Sequence, residues 1–232
     1  MCFSANASFG AGIVLSVIGV ASIRKVDKPA HLLFAAIPLI FAIQQVSEGF
    51  LWLTIPYQGN LLTQKIMTYG FLFFAQFFWP LWLPIAVIYL EKEENRRKIQ
   101  YLWLGAGIIV SLYALNGLVN HTVKASIIGY HITYEMDYFN SFRKYSGLFY
   151  VAATVAPSFC SHIKRMWIFG TTIIISYIIT VLFYDNYVVS VWCFFSSIIS
   201  MSIYIIIVHN SGISNPEYKV RMERGATIKA ML

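Results

Sequence analysis

Apolar residues run almost unbroken through seven stretches of the chain, at 8–23, 31–55, 66–90, 99–119, 145–160, 166–184 and 187–208, with most charged residues between them. Most of these stretches are near the ~20 residues that a helix needs to cross about 30 Å of hydrocarbon. The first and fifth are shorter, at about 16 residues, but Phe, Ser and Tyr at their ends extend a helix into the interface. The pattern predicts an all-α polytopic membrane protein, a bundle of seven transmembrane helices over residues 1–209, followed by a short basic tail at 210–232.

One connection breaks the helical pattern. Between Asn120 and Phe142, β-branched and aromatic residues from Thr122 to Tyr134 surround Gly129, which predicts a small hairpin able to cover one end of the bundle. Pro38, Pro80, Pro84 and Pro157 lie inside apolar stretches and predict bends. Each removes a backbone donor, so the carbonyls freed near Gln76 and Pro80 need other partners. This kinked packing accounts for the aromatic run around Trp79 and Trp82 more simply than a stacking site does.

Composition agrees with lipid as the main solvent: 58% of residues are hydrophobic, 12% are charged and mean hydropathy is +0.66. The net charge of +7 needs no nucleic-acid partner. Of the 17 cations, only Lys65, Lys124, Arg143 and Lys144 fall on one side of a seven-span arrangement, and the others collar the opposite side. Cations near span ends stay cytoplasmic and meet anionic headgroups. The expected orientation is amino terminus outside and tail inside. The first stretch reads as a retained anchor, because its basic cluster, Arg24, Lys25 and Lys28, follows the apolar run.

Candidate chemistry begins with Glu48, the one acidic residue inside any of the seven stretches. A carboxylate in hydrocarbon is costly and marks a functional site by default. Gln44, Glu48 and Trp52 follow at intervals of four on one helical face, with Gln45 rotated by about 100°. Glu48 lies about eight residues, roughly 12 Å, below the outer end of its span. Gln76 on the third span, and Tyr113 and Asn116 on the fourth, lie at compatible depth. The expected site is an outward-facing polar pocket between helices that binds a small ligand, cation or proton.

Two other chemistries are weighed at the amino terminus and among the histidines. Removal of Met1 would expose the thiol and amine of Cys2, a candidate nucleophile. Cys2, His121, His131 and Glu48 include donors that zinc or copper accept, although their spacing matches no ligand motif. His31, His162 and His209 gather at the inner face, but the His-x-x-x-His pair of seven-span zinc lipid hydrolases is missing. No lysine in the last span offers a Schiff-base anchor for retinal, and no glycine-rich phosphate loop or serine nucleophile elbow is present. No cofactor is required by the sequence.

Several of these residues also carry a resemblance. Met1-Cys2-Phe3-Ser4-Ala5 with Ala7-Ser8-Phe9, Ala35-Ala36-Ile37-Pro38-Leu39, Gln44-Gln45 to Glu48-Gly49, Trp79-Pro80 and Trp192-Cys193-Phe194-Phe195 resemble a bacterial family of uncharacterised multi-pass membrane proteins over about residues 1–210. The resemblance implies a bacterial inner-membrane protein and transfers no activity. Three readings follow: a membrane protein binding a small ligand, cation or proton around Glu48; an intramembrane enzyme using Cys2 or metal-bound histidines on a lipid or small molecule; or a structural membrane component.

Overall fold

A computed structural model describes residues 4–57, 60–136, 143–184 and 187–214, without the side chains at 143–146, 193–194 and 212–214. Helix α1 (Ala5–Arg24) starts at Ser4, whose hydroxyl accepts from the Ala7 N–H at 3.2 Å. A 3₁₀ turn (Pro29–His31) leads into α2 (Leu32–Ala35) and α3 (Ile37–Thr54). The helix breaks at Ala36 because Pro38 has no N–H to continue the ladder, and α3 restarts with that proline in its first turn. Then α4 (Leu61–Leu72), a π-helical segment (Phe73–Phe78) and α5 (Trp79–Leu90) form one continuous rod. Helix α6 (Glu94–Asn120) leads to strands β1 (Val123–Ile128) and β2 (His131–Met136), followed by α7 (Arg143–Cys160), α8 (Met166–Phe183), α9 (Val188–Phe194) and α10 (Ser196–Ser214).

Among the described residues, six helical stretches are long and apolar enough to cross a membrane: Ala5–Arg24, Pro29–Thr54, Leu61–Leu90, Glu94–Asn120, Met166–Phe183 and Val188–Ser211. The fifth apolar stretch supplies the shorter apolar helix Gly147–Cys160. On α3 the exposed residues Ile43, Val46, Phe50 and Leu53 recur at intervals of three and four, and on α10 Ile198, Met201, Ile205 and Val208 do the same. The opposite faces of these helices bury Gln44, Gln45 and Glu48, and Ser196, Ser200 and Ser211. A water-soluble bundle has the reverse arrangement; outward apolar faces with inward polar groups suit lipid as solvent.

The core centres on α5. Trp79, Leu83 and Val87 pack with Phe34 and Ile37, with Val155 of α7, with Phe169 and Ile173 of α8, and with Ile203 and Ile206 of α10. Helices α1 and α3 run antiparallel: Gly19 meets Leu39, Gly12 meets Val46, and the Phe9 ring lies on Gly49. Ser211 donates to the Lys25 carbonyl at 2.6 Å, tying the end of α10 to the end of α1. At that same end Glu91 is buried and accepts from Ser161 Oγ at 3.0 Å and the His162 N–H at 2.8 Å. Its carboxylate thereby fixes the turn into α8, where Arg165 takes the left-handed φ of 68°.

The hairpin forms where the sequence pattern places it. Gly129 supplies the positive φ of 61° that the two-residue turn requires, and Ile128 pairs with His131 across it. One face buries Ala125, Ile132 and Tyr134 against Leu51, Phe71, Leu72 and Leu118, with Tyr134 stacked on Phe71 at 5.0 Å. The hairpin thus covers the end of the bundle where α3 and α6 finish and α4 begins.

The expected proline defect takes a specific form. In a π-helical segment the N–H of residue i+5 meets the carbonyl of residue i, so Pro80 leaves the Ala75 carbonyl without its donor. Tyr150 of α7 donates to that carbonyl at 2.6 Å, and Ser111 of α6 donates to the Phe77 carbonyl at 2.7 Å. Pro84 likewise frees the Pro80 carbonyl, which lies so close to Gly107 of α6 that a Cβ there would fall 2.0 Å from the oxygen. Gly107→Ala is expected to lose most folded protein, whereas Gly105→Ala, with nothing within 4 Å of its Cβ, should be neutral. Monodisperse yield on size exclusion and melting temperature of the two variants check this.

Candidate functional site

Helix α3 carries three polar side chains with no exposed surface, Gln44, Gln45 and Glu48. The Glu48 carboxylate accepts from Ser190 Oγ at 2.5 Å, across the gap to α9. Ser190 is itself fully buried. One turn away, Gln44 Oε1 accepts from the Trp79 indole N–H at 3.0 Å, and the Trp79 ring stacks on Phe41 at 4.0 Å. These bonds join α3 to α5 on one side and to α9 on the other. Hydrogen bonds to a charged group are the stronger kind and, away from water, cost most to break.

Gln45 lies at the α1 edge of the same buried side. Its Cβ lies against Gly12, and one turn along α1 stands the buried Ser8. The amide of Gln45 and the hydroxyl of Ser8 have no hydrogen-bond partner among the described residues, and the same holds for the Trp52 indole N–H. Small residues at Ser8, Gly12 and Gly19 allow the close approach of α1 that buries this part of α3. Gln44, Gln45 and Glu48 thus sit on the inner side of α3.

The remaining sequence candidates lie apart from it. Gln76 is buried in the π-helical segment and its Nε2 donates to Met136 Sδ at 2.9 Å, so it anchors the hairpin. Tyr113 and Asn116 are on the exposed side of α6, which packs mainly on α5, α7 and the π-helical segment, and Asn120 donates to Asn116 Oδ1 at 2.7 Å. They share one helical face, and that face is exposed. Trp52, one turn beyond Glu48, is half-buried and packs with the cluster beneath the hairpin.

The metal and thiol candidates are dispersed or out of view. His121 is exposed, and its backbone carbonyl accepts from Tyr69 OH at 3.4 Å. His131 is half-buried between Tyr187, stacked at 4.4 Å, and Tyr184 at 5.5 Å. Cys2 lies outside the described residues, as does the side chain of Cys193. Among the described residues no three His, Cys, Asp or Glu side chains come together to hold a metal. At the far end His31 is buried while His162 is exposed, with Nδ1 3.6 Å from Glu93.

The sequence pattern did not identify Ser190 as the partner of Glu48, and it gave Ser8 and Trp79 no role in the site. The small-residue spacing of Ser8, Gly12 and Gly19 was the available signal for the α1 contact. Glu91, a second buried carboxylate, was missed because it stands just beyond Leu90, at the end of an apolar stretch.

Comparison with known families places the chain in a family of unknown function, DUF6629, whose model matches residues 1–217; the chain belongs to that family. Comparisons with curated proteins and with solved structures find no match.

Burial against the tyrosines pushes the His131 imidazole below its ordinary 6.5. A folded-state value below the unfolded one means that neutral His131 contributes stability above the unfolded value, and that this is lost as pH falls through the folded one. Hydrogen-exchange protection of the hairpin amides is expected to fall on acidification below the ordinary imidazole value of 6.5. His131→Phe, which keeps the ring on Tyr187, should flatten that dependence.

Proposed function

We propose that this member of a family of unknown function is a bacterial inner-membrane protein of seven spans, hairpin end outward and tail in the cytoplasm, in which Glu48 takes up a proton or a small cation. The shorter helix Gly147–Cys160 supplies the seventh span in this reading. The distribution of Lys and Arg supports the orientation, since among the described residues Arg24, Lys25, Lys28, Lys92, Arg96, Arg97, Lys98, Lys164 and Arg165 fall at the opposite end from the hairpin.

One observation carries the proposal: a carboxyl group with no exposed surface, in the middle of an apolar helix, hydrogen-bonded across the bundle to Ser190. Holding an ionisable group there is costly, and a merely structural contact needs only a neutral amide or hydroxyl. The full burial of Glu48 favours a small species, a proton or a bare ion.

Helices α1, α4, α9 and α10 pack on α3, and their charged or titratable residues are Arg24, Lys65, Tyr69, Cys193, Tyr204 and His209. Arg24 and His209 stand at the far ends of their helices, and Lys65 is exposed. Glu48 is thus the acidic group of this neighbourhood. In detergent, the melting temperature of the wild type is expected to vary with pH in a way that Glu48→Gln abolishes without loss of fold, because Gln still accepts from Ser190. An identical pH profile in the variant would instead make the cluster a packing device.

A further inference from the structure

Two groups next to Glu48 are unexplained by protein contacts. The side chain of Gln45 is fully buried with neither amide atom paired among the described residues, and the hydroxyl of Ser8, 1% exposed, is in the same position. The packing of Gly12 on Gln45, and of Phe9 on Gly49, sets the first turns of α1 against the turn of α3 that carries Gln45 and Glu48. Ser190 approaches the same carboxylate from α9. Unpaired amide and hydroxyl groups inside an apolar bundle are retained only against a cost that a bound polar species removes.

Resting on the reading of Glu48 as a binding group, we propose that Ser8, Gln45, Glu48 and Ser190 form a site for a monovalent alkali cation, sodium above all. The donors offered are a carboxylate oxygen, an amide oxygen and two hydroxyl oxygens, a set that suits hard cations rather than zinc or copper. Ser190 gives its proton to Glu48 and keeps its lone pairs for an ion. One carboxylate neutralises one positive charge, whereas a divalent ion would leave net charge in a low-dielectric interior. The ion and a proton then compete for one carboxylate, so the two readings of Glu48 become one exchange.

The test is thermal unfolding of the full chain in detergent, titrated with sodium chloride against choline chloride at constant ionic strength and neutral pH. Sodium should raise the wild-type melting temperature saturably while choline does not. Glu48→Gln and Gln45→Leu should abolish that rise, and Ser8→Ala should shift half-saturation upward by about tenfold, the equivalent of one weakened contact. If Gln45→Leu gives no folded protein, binding of radioactive sodium to the wild type and to Ser8→Ala decides the same question. A wild type that responds to sodium no more than to choline, or variants that all respond as the wild type does, overturn the cation site. A protein that ignores sodium yet keeps a Glu48-dependent pH profile refutes the cation site alone; loss of both effects refutes the reading of Glu48 as well.

Discussion

Inside an apolar bundle every polar group must find its partner within the protein, and the rod from α4 to α5 shows how far that constraint reaches. Two prolines remove donors in its middle: Tyr150 of α7 donates to the carbonyl that Pro80 frees, the Pro80 carbonyl itself lies against Gly107 of α6, and Ser111 of α6 donates to the nearby Phe77 carbonyl. The positions of α6 and α7 around α5 are thereby set by backbone chemistry as much as by side-chain fit. The π-helical segment also carries Gln76, which donates to Met136, so the hairpin is held by the same irregular stretch.

The constraint accounts for the α3 cluster in the same terms. Gln44 and Glu48 face opposite neighbours, Trp79 on α5 and Ser190 on α9, so the polar side of α3 acts as a strut between the two core elements. Gln45 lies at the α1 edge of that buried side, where small residues let α1 approach closely, and its amide and the Ser8 hydroxyl find no partner among the described residues. A cluster meant only to fix packing would satisfy all of its members. Gln45 and Ser8, without partners among the described residues, depart from that rule beside Glu48.

How much of this was legible in the sequence follows from the range of each interaction. The helices, the break at Pro38 and the hairpin around Gly129 are local, and hydrophobic runs, proline chemistry and turn residues disclose them. The burial of Glu48, Gln44 and Gln45 was also readable, because a polar residue in an apolar helix faces inward. Rotation of one helix against another was not. Tyr113 and Asn116 share a face as their spacing requires, yet that face looks outward, since the glycine face of α6 at Gly107 and Ser111 is claimed by the proline-bent rod. Ser190 lies 142 residues from Glu48, and nothing in either local sequence announces the other.

The central claim is that a buried Glu48, hydrogen-bonded by Ser190, exchanges a proton or ion. Infrared difference spectra between neutral and acidic pH read it most directly. The account predicts a protonated-carboxyl C=O band that Glu48→Gln deletes and that Ser190→Ala moves to higher frequency, because loss of a donated hydrogen bond stiffens the carbonyl. Spectra without a carboxyl band sensitive to Glu48→Gln, or with one indifferent to Ser190→Ala, would contradict it.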